Sequence, residues 1–421
     1  MASIRSTVVG ALACQKDSYL KKFETTVVSC HEVQAAKSKS KSKKQPDAPS
    51  DAKTEYELVL KDTILFPEGG GQPSDSGVIT TPETSIPVLA IRRAVLTALH
   101  KVPIPVAPAT PVVLEVDWAR RFDHMQQHSG QHLISAVLDT MQIPTLAWNL
   151  GEKFSYVELP RKLTDEEVAA VEDRCNEVIR QALTIWVEIP DKDLVNKQKL
   201  PDDYDADSGV LRVVHIGDLD ANPCCGTHLS NTREMNSIVL LHQVPNKSTN
   251  SRLFFLIGDR VRKYAAENHA LMRRLNARLS CQTDEIEAKV ARLETLLRDS
   301  LKREKMWASE VVINEAVTVK QALQEHKRAF IYRPDAALDY LTSLVGEIGA
   351  FEGLLVLACG AVKSPGALMV LGEGADVFAA SVRESGIVKS LKGGGKGGKW
   401  QGKVAEWEKG EPEALRKFVL A

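Results

Sequence analysis

Two pairs of metal-ligand side chains are the most chemically informative residues of this 421-residue sequence. His128 and His132 stand four residues apart in a segment with helical periodicity, so both imidazoles lie on one helical face, a single turn apart. Cys224 and His228 repeat this spacing further along the chain, in a glycine-containing turn. Three histidines and one thiolate suit a tetrahedral zinc ion, so we expect one Zn²⁺ per chain.

Neither pair is diagnostic by itself, because an HxxxH pair is common on polar helix surfaces and a lone cysteine is usually a small core residue. The joint pattern is stronger, since five of the ten histidines crowd these two segments. A purely structural zinc with four protein ligands is the alternative interpretation. Structural sites usually use CxxC knuckles, whereas a helix-borne pair facing a loop pair resembles a cleft site, so we favour a catalytic zinc.

A third motif runs from Asp62 to Asp75 and contains three consecutive glycines, Gly69, Gly70 and Gly71, followed by Gln72. Glycines let a backbone approach a ligand closely and leave its amide groups unobstructed. The motif therefore predicts a ligand-binding turn. A tight hairpin turn without ligand contact is the alternative.

The first two predicted domains position these motifs. Residues 1–117 alternate apolar and β-branched side chains, which predicts a small β-barrel, interrupted by a flexible Lys/Ser-rich insert at 36–54. Residues 118–257 predict an α+β zinc-binding domain. Its helices begin near Arg121 and at a Thr164 capping box, the second running to about Ala182, and its strands cover 184–189 and 210–216.

The second half of the chain predicts two further units within an overall α+β fold. Leucine and other apolar residues at spacings of three and four predict a helical hairpin or coiled coil over 258–320, broken near Thr283, which would cap its second helix. Residues 321–421 predict a small α/β domain, with strands at 329–332, 354–358 and 367–371 and helices near 336–348 and 375–389.

Composition excludes several classes of protein. The net charge of −1 excludes a uniformly basic nucleic-acid binder, so any RNA site must be local. The seven cysteines are scattered and odd in number, which argues against a disulfide framework. No apolar run approaches the ~20 residues of a membrane span, and the first twenty residues fit a strand better than a signal peptide. We expect a cytoplasmic protein.

With these motifs in hand, the sequence closely resembles the AlaX-type alanyl-tRNA editing proteins, free-standing relatives of the editing domain of alanyl-tRNA synthetase. The resemblance covers nearly the whole chain. It rests on Asp17 to Leu20, on Thr63 to Gln72 with Leu65 and Phe66 where Phe and Tyr are usual, on Arg120 to His132, and on Cys224 to His228. In the last motif Cys225 replaces the family's first glycine, and the four-residue spacing favours Cys224 as the ligand.

The resemblance implies a hydrolase that removes serine, and by extension glycine, from mischarged tRNA(Ala). It implies that Thr63 contacts the serine hydroxyl and that Gly69 to Gln72 contact the substrate. It leaves the catalytic group open between His124 and Gln131, and leaves open whether zinc activates water or positions the ester. Rival interpretations are threonyl-type aminoacyl-tRNA editing and a non-catalytic, zinc-stabilised binding or chaperone-like module.

The C-terminal tail resembles the terminal domain of the longer family members. Its glycine-rich segment carries Lys392, Lys396, Lys399 and Lys403 together with Trp400. Lysines spaced among glycines suit phosphate contact, and a tryptophan suits base stacking. The segment therefore predicts a tRNA-binding site, with a solvated loop as the alternative.

Overall fold

A computed structural model describes residues 5–33, 54–190 and 209–421 of the chain. The fold is mixed α+β, as predicted, and forms two compact units, Met1–Arg273 and Arg274–Ala421. The flexible insert predicted at 36–54 lies outside the described residues apart from Thr54. No helix in the described ranges combines the length and apolarity that a membrane crossing requires.

The first unit opens with a short helix, α1, and a seven-stranded antiparallel sheet of order β4-β3-β7-β1-β2-β6-β5. The twelve-residue strand β1 pairs with β7 along its first half and with β2 along its second, and its register shifts at a bulge between Val27 and Ser29. The elements are α1 (Ala13–Lys16), β1 (Lys22–Val33), β2 (Glu55–Leu60), β3 (Gly77–Thr80), β4 (Ser85–Val88), β5 (Ala90–Ala94), β6 (Thr97–Val102) and β7 (Pro111–Val116).

The predicted β-barrel is wrong, because the described strands form an open sheet whose edges are β4 and β5. Closure would require these two strands to pair with each other. Only Leu89 separates them, and a hairpin connection needs at least about two residues, so they cannot fold back on one another. Strand β4 pairs with β3 and β5 pairs with β6 instead.

Helix α2 (Trp118–Thr140) carries the predicted HxxxH pair and begins three residues before the predicted start. The Asp117 side chain caps it by accepting a hydrogen bond from the Arg120 amide. A Cβ on Gly130 would lie 2.0 Å from Cδ1 of Ile257, so this glycine lets the helix pack closely against the last strand of the unit. Nearly the whole middle of α2 is buried.

Around α2 lie a second helix and two smaller sheets, of order β10-β11-β12 and β13-β14-β9-β8. The predicted capping box is confirmed: the Thr164 hydroxyl accepts from the Glu167 amide, and the Glu167 carboxylate accepts from the Thr164 amide. The elements are β8 (Ala147–Leu150), β9 (Ser155–Leu159), α3 (Asp165–Gln181), β10 (Ile185–Glu188), β11 (Val213–Ile216), β12 (Asp220–Pro223), β13 (Ile238–Pro245) and β14 (Ser251–Ile257).

Two long helices follow, α4 (Asp259–Leu279) and α5 (Ile286–His326), separated by a 3₁₀ turn at Thr283–Glu285 where the break was predicted. Thr283 does not cap α5, however, since its hydroxyl pairs with the Asn276 side chain. The predicted coiled-coil stripe is not a buried seam in the described chain, because Leu293 and Leu297 are 45% and 61% exposed.

The second unit contains a five-stranded sheet of order β15-β16-β17-β19-β18, in which β15 and β16 are parallel and the other neighbours antiparallel. A parallel pair needs a crossover, which α6 supplies. The elements are β15 (Arg328–Arg333), α6 (Leu338–Ile348), β16 (Leu354–Cys359), β17 (Gly366–Gly372), α7 (Ala375–Glu384), β18 (Leu391–Gly395), β19 (Lys399–Val404) and α8 (Glu411–Leu420). Helix α7 ends five residues before the predicted 389, and the glycine-rich segment forms the β18–β19 hairpin.

Candidate metal centre and adjoining cleft

The structure brings together the four residues that the sequence predicted as metal ligands. His128 and His132 project from α2, and Cys224 and His228 come from the turn that follows β12. One ligand atom from each side chain lies within 4.8 Å of the others. The Cys224 Sγ is 3.4 Å from Nε2 of His128. A helix that supplies two ligands and a turn that supplies two can enclose one ion.

The amide of Gln72 fixes the orientation of His128. Its Oε1 lies 2.9 Å from Nδ1 of His128 and 3.0 Å from the Thr227 amide nitrogen, and its Nε2 donates to the Thr227 hydroxyl at 2.8 Å. A carboxamide oxygen only accepts, so Nδ1 of His128 must carry the proton. Its Nε2 is turned toward Cys224, and in the neutral imidazole this nitrogen is the one free to bind a metal.

The other two imidazoles also have a protein group beside one ring nitrogen. Nδ1 of His132 lies 3.6 Å from Oδ2 of Asp220, and Nδ1 of His228 lies 3.5 Å from the Ser129 hydroxyl. Nε2 of His228 is buried with no hydrogen-bond partner in the described part of the chain. A buried nitrogen without a partner is unfavourable unless something binds it, and a metal ion would satisfy it.

The electrostatics of the cluster favour a bound cation. Burial raises the pKa of the Cys224 thiol, but the neighbouring imidazoles of His128 and His228 outweigh burial and hold that pKa well below its ordinary value. Burial lowers the pKa of His228 to about 3, although the charge of Cys224 opposes that shift. Burial opposes the charged form of His132, but Asp220 and Cys224 raise its pKa to about 9. The acids around His132 therefore favour positive charge, and the donor set fits zinc.

The adjacent Cys225 does not belong to the ligand cluster. Its Sγ faces the glycine turn, where a Cβ on Gly70 would lie 3.3 Å from it. Burial, and then the charge of Cys224, raise the pKa of the Cys225 thiol to about 11. A neutral thiol directed at the glycines is a poor metal ligand. The geometry thus agrees with the four-residue spacing that favoured Cys224.

A cleft of about 380 Å³ adjoins the cluster. His132 and Cys224 line it together with Gln131, Cys225 and Trp148. Nε2 of Gln131 donates to the Ser135 hydroxyl at 2.9 Å, while its Oε1 is buried with no described partner. The candidate metal centre therefore adjoins a cleft that Gln131 also lines, and this side chain holds a buried carboxamide oxygen with no described partner.

The glycine motif is both a tight turn and part of the cleft wall. Gly69 and Gln72 exchange two backbone hydrogen bonds, and Gly70 and Gly71 have φ values of +60° and +76°. A Cβ on Gly71 would lie 2.4 Å from Nε1 of Trp148. Gly70 lines the cleft, whereas Gly69, Gly71 and Gln72 do not.

Two further predicted site residues, Thr63 and His124, also lie outside the lining of this cleft. Thr63 is buried, and its hydroxyl lies 2.9 Å from Nε2 of His100 and accepts from the Leu65 amide at 3.0 Å. His124 lines a separate cavity at the start of α2. Of the two catalytic candidates, only Gln131 is beside the metal ligands.

Sequence reasoning missed the groups that hold the ligands in place. Asp75 and Arg121 form a fully buried ion pair, and Arg121 also donates to the Ser18 carbonyl oxygen at 2.9 Å. Arg212 donates to the carbonyl oxygens of Gly226 and Gln15 at 3.0 and 2.7 Å. Arg121 lies inside the motif from Arg120 to His132, and Arg212 lies inside the predicted strand 210–216. Nothing in the sequence, however, indicates their distant hydrogen-bond partners.

The predicted tRNA-binding residues of the tail divide into two groups. Lys392, Lys396, Lys399 and Lys403 are exposed, and Lys392 and Lys403 are neighbours across the β18–β19 hairpin. Trp400 is 3% exposed and belongs to the core of its unit, so it is not open for base stacking. The glycines have a packing role, because a Cβ on Gly402 would lie 2.3 Å from the Trp400 ring.

Comparison with known proteins places the site in a class. A family model described as the threonyl and alanyl tRNA synthetase second additional domain matches residues 211–254. These include the turn from Cys224 to His228, here called the ligand turn. A Saccharomyces cerevisiae protein named putative alanyl-tRNA editing protein alaX is 36% identical, over 98% of this chain and 96% of its own. The Mus musculus alanyl-tRNA editing protein Aarsd1 is 35% identical, over 96% and 97%.

An alanine–tRNA ligase of Aeropyrum pernix is 29% identical over 58% of this chain, but the match covers only 29% of the ligase. The similarity to the two editing proteins spans nearly the full length on both sides. This chain belongs to the family of alanyl-tRNA editing proteins.

The ligand set predicts how metal content responds to substitution. His128→Ala and Cys224→Ala should each reduce bound zinc from one ion per chain to nearly none, because an incomplete shell holds the ion poorly. Cys225→Gly should retain the ion, since its thiol faces Gly70. Elemental analysis of the purified proteins measures this. Zinc lost from Cys225→Gly and kept by Cys224→Ala would reverse the assignment.

The Gln72 contact predicts a second effect on the metal. Gln72→Leu removes the acceptor that sets the His128 tautomer, so zinc affinity should fall about 10- to 100-fold. Gln72→Glu keeps an acceptor at this position and should lose less. Competition with a chelator at fixed pH gives both affinities. Equal affinity of the Leu variant and the unmodified protein would show that Gln72 does not orient His128.

Proposed function

We propose that this chain is a zinc-dependent trans-editing hydrolase that deacylates tRNA(Ala) mischarged with serine or glycine. The observation that carries the proposal is the cleft that His132, Cys224 and Gln131 line together. A purely structural metal site has no need of such a cleft. The names of the full-length relatives agree with the proposal, since they are called alanyl-tRNA editing proteins.

The physical need for such an activity follows from the chemistry of small amino acids. A synthetase pocket shaped for alanine rejects the smaller glycine, or serine with its extra hydroxyl, by only ~1–3 kcal/mol. That difference is too small for accurate translation, so a second, hydrolytic selection step is needed. A free-standing enzyme can supply this step after the mischarged tRNA has left the synthetase.

We assign the chemical roles as follows. His128, His132, Cys224 and His228 would hold Zn²⁺, which polarises an ester carbonyl or lowers the pKa of a water when bound. Gln131 lines the cleft, and we assign its unpaired Oε1 as the group that would accept a hydrogen bond from the attacking water or from the amino group of the ester.

The walls of the cleft would select the amino acid by size. Gly70 contributes no side chain and Cys225 contributes a small neutral thiol, and both lie beside Cys224 in the lining. A small aminoacyl group would bind next to these residues, and Trp148 and Pro144, which also line the cleft, would face the end of the RNA. His124 has no role in this assignment because it lines another cavity.

We further propose that residues 118–257 form the zinc-binding domain and that 321–421 bind tRNA. The support for the second part is the row of exposed lysines, Lys392, Lys396, Lys399 and Lys403, on one hairpin. Four cations close together can replace counterions along an RNA backbone. With Trp400 buried, this contact would be electrostatic and without base stacking.

The deciding experiment is hydrolysis of aminoacyl-tRNA by the purified full-length chain. We expect Ser-tRNA(Ala) or Gly-tRNA(Ala) to be deacylated at least about tenfold faster than Ala-tRNA(Ala), equivalent to ~1.4 kcal/mol or more. Chelation should abolish the activity and added zinc should restore it. Cys225→Gly is the matched control for Cys224→Ala, because it changes the adjacent thiol and keeps the ligands.

Two outcomes would reject the proposal in different directions. Selective hydrolysis of Ser-tRNA(Thr), with Ser-tRNA(Ala) left intact, would indicate threonyl-type editing. Full zinc content without hydrolysis of any aminoacyl-tRNA would indicate a zinc-stabilised binding module.

Thr63 offers a separate test of substrate reading. The sequence predicts that it reads the serine hydroxyl, but its own hydroxyl pairs with His100 and the Leu65 amide. From these contacts we expect Thr63→Val to cost about 1–3 kcal/mol of folding stability, by leaving buried groups unpaired, and to slow seryl and glycyl hydrolysis equally. Denaturant unfolding and parallel kinetics measure both, with Thr63→Ser as control. A selective loss of seryl hydrolysis at unchanged stability would instead support the sequence-based role.

A further inference from the structure

A second cavity, of about 390 Å³, lies at the start of α2 within the Met1–Arg273 unit. It is formed by the first two turns of α2, the turn between β8 and β9, and the first turns of α4. The side chains that matter to its chemistry are Arg120, His124, Lys153, Phe154, Lys263 and Tyr264. It shares no lining residue with the cleft beside the metal ligands.

His124 gives this cavity an unsatisfied polar group. The side chain is 5% exposed, and its Nδ1 is buried with no hydrogen-bond partner among the residues described. Burial, and then the charge of Arg120, lower the pKa of His124 to about 4, so the imidazole is neutral and can both donate and accept. Buried polar atoms are nearly always paired, so a missing partner at a cavity wall points to a ligand.

Another part of the cavity wall is held by hydrogen bonds, and its charges are internally balanced. Arg260 makes two hydrogen bonds to the Asp123 carboxylate, at 2.8 and 2.7 Å, and a third to the Gly151 carbonyl oxygen at 2.7 Å. These bonds fix the first turn of α4 against α2 and against the β8–β9 turn. Because this arginine is neutralised by Asp123, the charge available to a ligand comes from the remaining side chains.

Those remaining side chains carry a small excess of positive charge. Arg120, Lys153 and Lys263 make no ion pair with any described residue, and Arg120 donates its Nε to the Ser74 carbonyl oxygen. Two carboxylates, Glu152 and Glu267, also line the cavity. Three cations against two anions favour a ligand with a single negative charge, such as a phosphodiester.

Aromatic rings stand beside these cations. Phe154 and Tyr264 form an edge-to-face pair with centroids 6.1 Å apart, and Nζ of Lys153 lies 5.6 Å from the Phe154 ring centroid. Tyr264 is 36% exposed and lines the cavity. An exposed ring next to cations is the combination that binds one base and its phosphate.

We propose that this cavity binds one nucleotide of the tRNA, with its phosphate toward Lys153, Lys263 and Arg120 and its base against Tyr264. The inference rests on the proposed function, which supplies the RNA. His124 precedes His128 by one helical turn, about 6 Å along α2, so this cavity and the candidate metal ligands are neighbours along the same helix. Hydrogen bonding of the nucleotide to His124 would satisfy its Nδ1.

The experiment measures binding of uncharged tRNA(Ala) to the full-length protein over a series of salt concentrations. Lys153→Ala/Lys263→Ala should weaken binding about tenfold and reduce the slope of log affinity against log salt by about 1 to 2, since released counterions set that slope. Lys153→Arg/Lys263→Arg keeps the charges and should bind nearly as the unmodified protein does. Lys247→Ala, at an exposed turn of the same unit, is the matched control and should leave affinity and slope unchanged.

Stacking is tested at Tyr264. Tyr264→Ala should weaken tRNA binding about fivefold or more, whereas Tyr264→Phe keeps a ring and should bind nearly normally. Unchanged affinity and salt slope in both the double lysine variant and Tyr264→Ala would overturn the proposal. Micromolar binding of AMP that does not compete with tRNA would also overturn it, by assigning the cavity to a free nucleotide.

These results are separable from the fate of the proposed function. If the unmodified chain hydrolyses no aminoacyl-tRNA but the variants still lose tRNA affinity, the editing proposal fails and the nucleotide site stands. If hydrolysis occurs and the variants bind tRNA normally, the editing proposal stands and the nucleotide site is rejected.

Discussion

The hydrogen bonds of one buried side chain connect all the parts of the metal centre. The Gln72 amide touches His128 on α2 and both the backbone and the hydroxyl of Thr227 on the ligand turn, while its own backbone belongs to the glycine turn. Three segments far apart in sequence thus converge on one planar group. Because the amide has a fixed pattern of one acceptor and one donor site, it sets the protonation of His128 as well as its position.

Such a convergence requires the segments to be held independently, and buried arginines do this. The Arg121–Asp75 pair ties the start of α2 to the chain just beyond the glycine turn, and Arg212 holds the carbonyl oxygen of Gly226 in the ligand turn. A buried ion pair adds little net stability compared with apolar packing. Removing one partner, however, leaves the other as an unpaired buried charge, which is strongly destabilising. The arginines therefore fix the relative position of α2 and the ligand turn. This keeps the two ligand pairs at a distance that one ion can span.

Local sequence patterns predicted the structure better where a feature depends on neighbouring residues than where it depends on contacts between distant segments. The four-residue spacings identified the four side chains that the structure brings together as a candidate metal site, and the Thr164 capping box located α3, because each depends on neighbours within one helical turn. The barrel was wrong because closure depends on which distant strands pair. Trp400 was misassigned although β19 shows a two-residue period, in which Lys399, Gln401 and Lys403 face outward and Trp400 and Val404 inward. Its glycines suggested a loop, whereas they make room for the buried indole.

Cys225 and Gly226 separate Cys224 from Thr227. Their surroundings explain why a cysteine is tolerated at position 225, where the resemblance to the family implies a glycine. A Cβ on Gly226 would lie 2.3 Å from the His128 ring and 2.8 Å from Oε1 of Gln72, so any side chain there would break the contact that orients the ligand. Cys225 points instead at Gly69 and Gly70, which have no side chains, and its sulfur fills that space. The glycines of the distant turn thus compensate for the missing glycine of the ligand turn. Cys225 therefore lines the cleft beside Cys224 without joining the cluster of candidate ligands.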